Sequence, residues 1–528
     1  MICSIDQLLS QAARDLPDAE AVRQGEVTYS YAQLERAVAQ LAQRLRRWGV
    51  QRGERVGIYM THSLVQVVAI LASARAQAVF VVINAKLKSD QVGFIAQDCR
   101  LRLLLVEPKS SQRVQTDGWT HRPEVRTLHV AEDGSPSLSG EIPPAEDDTS
   151  PTEPTIGKDL ACLMYTSGST GQPKGVMLSH GNLLAGAESV SGYLELRQSD
   201  QILSVLPFSF DYGFNQLLCA MRLRCLLVLC EFVFPHDVAS VLHSERITVF
   251  AGIPSLWAQL LHADRGIMGR GPFEGVRVVT NSGGQATRAI VDGLRRAFPA
   301  GRIFLMYGLT EAFRATYLPP EQLDARPGSI GRAIPGSQVF LVDDQGRRVG
   351  PRMAGQIVQR GDTVAMGYWN RPADTARVFR PNPFSPQGQG VSEPVVFSGD
   401  YAWSDEQGYL YFLGRRDQQI KVAGMRMSPE EIEAVLAGVP GVSESVVVGM
   451  PGGETGDRIV AFLLREGQID RDQVIRECRK RLPAHMIPQQ IEMCEWFPRL
   501  GNGKIDRGLV KRRWLASQGQ TVNEGSSL

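Results

Sequence analysis

Residues 165–175 read Tyr-Thr-Ser-Gly-Ser-Thr-Gly-Gln-Pro-Lys-Gly, so three glycines, four Ser or Thr hydroxyls and one lysine fall within eleven positions. The preceding residues 160–164 are apolar and predict a buried strand, and a helical pattern begins near Asn182. Glycines leave backbone N–H groups free to point at an anion, while the hydroxyls and the lysine add donors and charge. The stretch therefore predicts a phosphate-binding loop between a strand and a helix.

The groups predicted to bind phosphate are Thr166, Ser167, Gly168, Ser169, Thr170, Gly171 and Lys174. The loop is not of the Walker type, because Gly175 rather than Ser or Thr follows the lysine. A Gly/Ser linker is the alternative interpretation. The Pro-Lys-Gly ending and the Ser-His-Gly-Asn sequence at 179–182 argue against it.

The segment resembles the nucleotide loop of the adenylate-forming superfamily, which includes acyl-CoA synthetases, luciferases and the adenylation domains of nonribosomal peptide synthetases. Further motifs extend the resemblance over nearly the whole chain. It implies that the loop holds the β- and γ-phosphates of ATP. A carboxylate then attacks the α-phosphorus, and pyrophosphate leaves.

Two further motifs resemble the family's adenine and metal sites. In Tyr307-Gly308-Leu309-Thr310-Glu311, the resemblance implies that Tyr307 stacks near adenine, Thr310 hydrogen-bonds phosphate and Glu311 binds magnesium. A hard cation that bridges phosphates favours a carboxylate oxygen, and Glu311 supplies one. Gly283-Gly284-Gln285 stands where the family places a glycine motif against adenine, with Gln285 in place of the commoner acid or alanine. Each motif alone could be a turn after a core strand.

The segment after residue 397 resembles the family's ribose site and interdomain crossover. The resemblance implies that Asp400 accepts hydrogen bonds from both ribose hydroxyls, which one carboxylate can do, and that Arg415 also binds the ribose. It further implies that Asp417 is a hinge, and that Lys421 and Gly424 serve the thioester-forming step, with Gly424 lining the pantetheine tunnel. A solvated charged turn is the alternative for residues 415–417.

Residues 498–507 (Pro-Arg-Leu-Gly-Asn-Gly-Lys-Ile-Asp-Arg) resemble the motif that delivers the adenylation lysine. A flexible Gly-Asn-Gly loop can carry the Lys504 ammonium between the bound carboxylate and the α-phosphate, where it neutralises developing charge. An exposed surface lysine is the alternative. The two half-reactions need different catalytic faces, so a small swivelling domain is expected.

The acyl pocket is predicted around Phe210, Asp211 and Arg314. Amino-acid-activating relatives carry Phe-Asp, with the acid paired to the substrate ammonium, and residues 210–211 match that pattern. A capping or turn aspartate is the alternative for Asp211, and a surface position is the alternative for Arg314. Together they favour a small polar acyl group or an amino acid over a long-chain fatty acid. The sequences at 206–213 and 307–314 also resemble acyl-CoA ligases associated with exosortase A systems.

The resemblance predicts ATP and magnesium as cofactors and a phosphopantetheine thiol as acceptor, on CoA or on an acyl or peptidyl carrier protein supplied in trans. The predicted activity is AMP-forming acid–thiol ligation. A stand-alone amino-acid-adenylating enzyme that loads a carrier protein is the main alternative. A luciferase-like oxidase, a non-catalytic AMP-binding protein and an ADP-forming phosphotransferase are the others.

Composition excludes several classes of partner. The chain has 57 basic and 56 acidic residues, so no global field favours nucleic acid. Eight cysteines without a CxxC pair predict reduced thiols rather than disulfides or zinc. Two apolar stretches, 64–83 and 217–234, contain charged or amide side chains, so they predict buried helix–strand segments and no membrane span. The N-terminus predicts no secretory leader, and a cytoplasmic protein is expected.

Helices alternate with apolar strands through residue 306, which predicts an α/β fold with largely parallel sheets. A β-rich subdomain is predicted from about residue 339, followed by a small, mobile α+β domain. The predicted organisation is a large N-terminal domain at 1–414, a hinge at 415–417, a C-terminal domain at 418–515 and a disordered tail at 516–528. Loops are predicted at 131–158 and 380–394.

Overall fold

A computed structural model describes residues 2–130, 136–138, 153–166, 173–261, 267, 271–386, 393–415, 420–422, 425–427, 429–453, 456–465, 469–483, 486–500 and 503–517. The predicted site residues Ser167, Gly168, Ser169, Thr170, Gly171, Asp417 and Gly424 lie outside these ranges. The chain divides into two compact units. The larger unit comprises Met1–Phe340 and Val358–Ser398, and the smaller unit comprises Leu341–Ile357 and Gly399–Leu528.

The strands are, in chain order, β1 (Glu20–Gln24), β2 (Val27–Ser30), β3 (Arg55–Tyr59), β4 (Val79–Ile83), β5 (Leu103–Val106), β6 (Glu124–Val130), β7 (Pro136–Leu138), β8 (Leu160–Thr166), β9 (Lys174–Ser179), β10 (Gln201–Ser204), β11 (Leu226–Leu229), β12 (Val249–Gly252), β13 (Val278–Asn281), β14 (Arg302–Tyr307), β15 (Thr316–Leu318), β16 (Ser329–Ala333), β17 (Ser337–Val342), β18 (Gly355–Gly361), β19 (Gly367–Tyr368), β20 (Phe379–Pro381), β21 (Pro394–Ser404), β22 (Leu410–Arg415), β23 (Ile420–Val422), β24 (Met425–Met427), β25 (Val442–Gly453), β26 (Gly456–Arg465) and β27 (Gln490–Cys494).

The helices are α1 (Ile5–Asp15), α2 (Tyr31–Arg47), α3 (Leu64–Arg75), α4 (Ser89–Asp98), α5 (Pro108–Ser111), α6 (His180–Tyr193), α7 (Asp211–Leu223), α8 (Pro235–Ser244), α9 (Pro254–Leu260), α10 (Arg288–Ala297), α11 (Pro372–Val378), α12 (Pro429–Leu436), α13 (Arg471–Arg481) and α14 (Arg507–Ser517). The helix–strand alternation confirms the predicted α/β class, and the short strands from β17 to β22 agree with the predicted β-rich stretch.

One sheet of the larger unit has the strand order β16-β15-β14-β13-β12-β10-β11-β1-β2. The six neighbours from β14 to β1 are parallel. Strands β11, β12 and β14 are apolar along nearly the whole strand, as expected when helices cover both faces of a parallel sheet. The loops that follow β10, β12, β13 and β14 therefore leave the sheet at the same edge.

The second sheet of the larger unit has the order β19-β9-β8-β4-β3-β5-β6-β7. Strands β8 and β9 form an antiparallel hairpin in which Thr166 lies opposite Lys174. The predicted phosphate loop is therefore the connection of a hairpin whose two ends are held in register. Strand β19 pairs with the other side of β9, placing Tyr368 beside Val176.

The two apolar stretches are internal, as predicted. Residues 64–83 form α3 followed by β4, and residues 217–234 contain the end of α7 and β11. Every residue of α3 except Arg75 is buried, and β4 and β11 are buried throughout. None of the helices within the described ranges is long and apolar enough to cross a membrane.

The smaller unit contains the sheet β24-β23-β26-β25, with β27 parallel to β26. Successive residues of β25 point to opposite faces, and both faces are buried. Val447 packs in a cluster with residues of α12 and α13, whereas Val446 and Val448 pack with Trp514 of α14. Helix α14 reaches Ser517, two residues into the segment predicted as a disordered tail, and residues 518–528 lie outside the described ranges.

Two buried histidines of the larger unit make its stability depend on pH. Burial lowers the pKa of both His62 and His180 to about 4. His62 contacts the Ser204 carbonyl at 3.0 Å, and the His180 Nδ1 atom accepts a hydrogen bond from the Ile5 N–H at 3.3 Å. Each ring is therefore neutral in the folded protein above that pH.

We expect the free energy of unfolding to fall as pH drops from about 6.5 to about 4, by up to about 3 kcal/mol per histidine. In this window the unfolded chain binds protons that the folded chain does not. Guanidinium titrations at several pH values check this. In the His180→Asn variant, the free energy of unfolding is expected to change less steeply with pH than in the natural protein. An equally steep change would show that His180 does not contribute to the pH dependence.

Candidate active site

The three predicted adenine, metal and acyl motifs lie together at one edge of the parallel sheet. The acyl segment at 206–213 follows β10, the glycine motif follows β13, and Gly308 follows β14. Gly283 has φ +77°, a conformation that favours glycine, and the buried Asn281 side chain donates to the Gly284 carbonyl at 3.0 Å. Ligands of open parallel sheets bind at this edge, beyond the carboxyl ends of the strands.

The remaining residues of these motifs are placed as follows. Gln285 is exposed after the glycines. Tyr307 ends β14 and is half-buried, and Thr310 and Glu311, also half-buried, belong to a 3₁₀ turn at Thr310–Ala312. Thr166 ends β8 and is half-buried at the first position of the phosphate loop.

Lys174, at the other end of the phosphate loop, is buried and ion-paired. The side chain is 8% exposed, and its Nζ atom lies 3.0 Å from Asp374 Oδ2 and 5.6 Å from the centre of the Tyr368 ring. The Tyr368 hydroxyl donates to Glu311 Oε1 at 2.6 Å. Tyr368 thus connects the predicted phosphate-binding lysine to the predicted magnesium ligand, and sequence reasoning missed both Tyr368 and Asp374.

Backbone hydrogen bonds fix the segment that carries Tyr368. The Trp369 N–H donates to the Gly175 carbonyl at 2.8 Å, and the Ala365 N–H donates to the Glu311 carbonyl at 2.9 Å. The Tyr368 N–H donates to Thr375 Oγ1 at 2.9 Å, which ties β19 to the first turn of α11. One short segment therefore holds the lysine and the glutamate at a fixed separation.

Glu311 fits a magnesium ion that is shared with a nucleotide. The described part of the chain contains no group of three or more His, Cys, Asp or Glu side chains able to hold a metal. Magnesium in nucleotide sites is typically bound by one or two carboxylates together with phosphates and water. An ion at Glu311 would take its remaining ligands from ATP and solvent.

A strained turn aims Arg314 into the larger unit. Phe313, just after the 3₁₀ turn, has φ +54°, which is uncommon for a residue other than glycine. A Cβ atom at Gly186 of α6 would lie 2.3 Å from the Phe313 ring, so glycine is required there for the ring to pack. The Arg314 carbonyl accepts a hydrogen bond from the buried Gln359 side chain at 2.6 Å, which fixes the turn from the other side.

Arg314 and Asp211 form a buried ion pair. Arg314 is 3% and Asp211 5% exposed, and Arg314 Nη1 lies 3.8 Å from Asp211 Oδ1. The guanidinium also donates to the Phe313 carbonyl at 2.7 Å and to the Asp211 carbonyl at 3.3 Å. Asp211 is the first residue of α7, where a negative charge is favourable, but Phe210 occupies the cap position. Arg314 is therefore not a surface residue, and Asp211 is not a helix cap.

The ion pair adjoins a small cavity. The Arg314 guanidinium lies over the Tyr212 ring, with 5.1 Å from Cζ to the ring centre. Tyr212 in turn lines a cavity of about 30 Å³ together with Asn215, Gln216, Thr280 and Met306. Phe210 is half-buried, and its ring packs edge-on against Tyr212. Phe210 and Arg314 thus both contact Tyr212, and Arg314 pairs with Asp211, so the three predicted acyl-site residues lie together.

Polar atoms around the cavity need partners. Within the described residues, Asn215 Oδ1, Gln216 Oε1 and Arg314 Nε are buried without a hydrogen-bond partner. Burial raises the pKa of Cys219, another lining residue, to about 12, although nearby Arg314 opposes the shift. Burial also raises the pKa of Tyr212, whose hydroxyl hydrogen-bonds Thr280. The cavity thus presents neutral groups and two unsatisfied acceptors, and the unpartnered Arg314 Nε belongs to the side chain that stacks on Tyr212.

The predicted ribose site lies in the smaller unit. Asp400 and Arg415 are opposite each other on β21 and β22, and Arg415 Nε lies 3.3 Å from Asp400 Oδ1. Asp400 is 8% exposed, and the preceding Gly399 has φ +78°. The structure thus brings the two predicted ribose-binding residues together. Lys421 lies on β23, and its side chain is outside the described set.

Lys504 lies on a hairpin that is held at its base. The Leu500 N–H donates to the Lys504 carbonyl at 2.7 Å, and the Asp506 N–H donates to the Pro498 carbonyl at 2.8 Å. The Arg499 side chain donates to the Gly503 carbonyl at 3.1 Å and to both Glu444 oxygens at 2.6 and 2.7 Å. Lys504 itself is exposed. Sequence reasoning expected a flexible loop and missed these contacts.

Arg507 anchors the other end of this hairpin. It forms a half-buried ion pair with Glu433 of α12, contacts Glu430 at 3.3 Å and donates to the Val447 carbonyl at 3.2 Å. Asp506 Oδ1 accepts from the Leu509 N–H at 2.8 Å and so caps α14. The base of the hairpin is therefore fixed to the body of the smaller unit.

The predicted motifs of the larger unit lie beyond the carboxyl ends of parallel strands, the edge at which open parallel sheets bind ligands. The model of the AMP-binding enzyme family matches residues 9–369, and that of the AMP-binding enzyme C-terminal domain matches residues 431–504. The chain belongs to this family, which confirms the predicted adenylate-forming superfamily, and it is a ligase of the acyl-CoA synthetase type. No subfamily is assigned by these matches.

Three similar proteins illustrate the family. The chain is 31% identical to feruloyl-CoA synthase from Amycolatopsis sp, covering 95% of this chain and 97% of that one. It is 28% identical to tyrocidine synthase 1 from Brevibacillus parabrevis, over 98% of this chain but only 46% of that longer protein. O-succinylbenzoate coenzyme A synthetase from Bacillus subtilis, solved with ATP and magnesium, is 25% identical, with a TM-score of 0.80 and coverage of 96% and 99%.

Proposed function

We propose that this ligase activates a short, polar carboxylic acid that carries no ammonium group. It then transfers the acyl group to a phosphopantetheine thiol, and we propose CoA as the carrier of that thiol. The observation that carries the proposal is the buried Arg314–Asp211 ion pair beside the small cavity. The similarity to feruloyl-CoA synthase over almost its full length supports CoA as the acceptor.

The reaction has two balanced steps. A carboxylate oxygen of the acid attacks the α-phosphorus of ATP, and the bond to the β-phosphate breaks so that pyrophosphate leaves with the electron pair. A thiolate sulfur then attacks the acyl carbon, and AMP leaves with the electrons of the carbon–oxygen bond. Magnesium, when bound, neutralises phosphate charge.

We assign the nucleotide to the residues predicted for it. Lys174, Thr166 and the rest of the phosphate loop would bind the outer phosphates, and Thr310 and Glu311 would bind phosphate and magnesium. Tyr307 and residues 283–285 would contact adenine, and the Asp400–Arg415 pair would bind the ribose. Lys504 would stabilise charge in the first step. Lys421 and Gly424 would serve the second step after movement at Asp417.

The substrate class follows from electrostatics. In amino-acid-activating relatives the aspartate must be available to the substrate ammonium, but here the Arg314 guanidinium lies 3.8 Å from Asp211 and neutralises it. A second cation would enter a buried site that already contains a balanced pair, which is costly. The unpartnered Arg314 N–H and the Asn215 and Gln216 oxygens instead match an acyl group with hydroxyl or carbonyl oxygens. The cavity of about 30 Å³ limits that group to a few atoms.

The test is pyrophosphate release from ATP with matched pairs of acids, such as lactate and alanine, with and without CoA. We expect the hydroxy acid to support release at least about 10-fold faster than the amino acid, because only the latter brings an unpaired charge into the pocket. Added CoA should raise turnover and yield the thioester.

Long-chain fatty acids serve as the size control and are expected to be poor substrates. A preference for alanine over lactate would contradict the substrate assignment and favour the amino-acid-adenylating alternative. Release of ADP instead of pyrophosphate with every acid would overturn the ligase mechanism itself.

A further inference from the structure

The ammonium of Lys174 has an anionic partner within the protein itself. Asp374 Oδ2 lies 3.0 Å from Lys174 Nζ, and the two side chains are 8% and 21% exposed for lysine and aspartate. Asp374 also pairs with the largely exposed Arg377. A triphosphate at the end of the phosphate loop would therefore compete with Asp374 for the lysine.

The contacts around Lys174 fix the backbone on both sides, so this competition involves side chains only. Hydrogen bonds to Gly175 and Thr375 hold the Tyr368–Trp369 segment in place, and the Tyr368 ring lies against the lysine. Lys174 is the first residue of β9, paired with Thr166, so its backbone is also fixed. A change of partner would therefore require only a movement at the tip of the Lys174 side chain and no movement of either strand.

Resting on the function proposed above, we propose that Asp374 is a counter-ion for Lys174 that the outer phosphates of ATP displace and that recaptures the lysine as pyrophosphate leaves. Asp374 is a positioning residue in this scheme. It holds the buried ammonium in place before the nucleotide binds, and its negative charge weakens the binding of pyrophosphate to the site. No covalent step is involved.

The test is nucleotide and pyrophosphate binding to Asp374→Asn, measured by calorimetry with magnesium present. Removal of the competing carboxylate should tighten binding of both α,β-methylene-ATP and pyrophosphate by about 3–10-fold. If Asp374 instead aligned Lys174 toward the phosphates, the same variant would bind both ligands more weakly, and the proposal would be wrong.

A double-mutant cycle with Lys174→Met tests whether Asp374 affects ligand binding through Lys174. In the Lys174→Met background, Asp374→Asn should no longer improve binding by the same factor, because the competition is absent. An undiminished improvement would contradict exchange through Lys174. Asp324→Asn, which removes one charge from an exposed ion pair with Arg295 in the same unit, is the matched control and should change neither affinity.

Thermal unfolding provides a second measurement that remains informative if Asp374→Asn lowers the stability of the protein. Asp374→Asn leaves the buried lysine without its partner, so the empty variant should melt at a lower temperature, and α,β-methylene-ATP should raise its melting temperature by more than it raises that of the natural protein. An equal or smaller rise would contradict the proposal. If the natural protein binds neither ligand, the proposed function fails as well. Binding by the natural protein with an unaltered Asp374→Asn variant overturns only the counter-ion role.

Discussion

Replacement of Lys504 with alanine is expected to lower the rate of acyl-adenylate formation by about 10²–10³-fold, the usual effect of removing a group that stabilises developing charge in a transition state. Thioester formation from supplied acyl-adenylate and CoA should remain within a few-fold of normal. Exposed Lys504 lies on a hairpin closed by hydrogen bonds at both ends, so the substitution should not disturb the smaller unit. Isotope exchange between pyrophosphate and ATP measures the first step alone.

Lys480→Ala is the matched control for this experiment. Lys480 is exposed on α13 of the same unit and pairs only with Glu477 among the described contacts, so its loss should affect neither half-reaction. Equal loss of both half-reactions in Lys504→Ala would contradict the proposed division of labour between Lys504 and the segment at Lys421.

Replacement of Arg314 with leucine is expected to reduce the free energy of unfolding by about 3–5 kcal/mol, because it leaves the Asp211 carboxylate buried without a counter-charge. It should also abolish the discrimination against amino acids, since the freed carboxylate could then accept an ammonium group. Guanidinium titration measures the first effect, and the lactate and alanine pair measures the second.

The double variant Asp211→Asn, Arg314→Leu is the informative comparison. Removal of both charges should recover most of the lost stability, because the large cost lies in the unpaired charge rather than in the loss of the pair. Strictly additive losses from the two single changes would mean that the residues do not interact in solution.

The α/β class and the positions of the motifs at strand ends could be predicted because their signals are local. Strand β4 ends the stretch 64–83 that was predicted as a buried helix–strand segment, and helix α12 falls within the predicted α+β domain, since each is an apolar or amphipathic run between clear breaks. The motifs near Asn281 and Tyr307 follow strand ends, and parallel strands bring such ends to one edge.

The contacts within the site could not be predicted because they join distant parts of the chain. Asp374 contacts Lys174 although the two residues lie two hundred positions apart in the sequence. No local pattern marks an aspartate in the first turn of a short helix as the partner of a lysine. The orientation of Arg314 depends on the backbone of Phe313, whose positive φ is not apparent from its residue type. The pairing of Asp211 with Arg314 could not be predicted for the same reason, since the two residues lie far apart in the sequence.

The close approach of Phe313 to Gly186 has a consequence for how substrate preference can diverge. The turn that presents position 314 is held by a packed ring, by Gln359 and by the absence of a side chain on α6, and none of these depends on which residue occupies position 314. Position 314 can therefore change without moving the turn, provided that Asp211 changes with it so that no buried charge is left unpaired. Gly186 cannot, because any larger residue would displace the ring and move the turn. Evolution toward a different carboxylic acid substrate would therefore change position 314 before it changed Gly186 of α6.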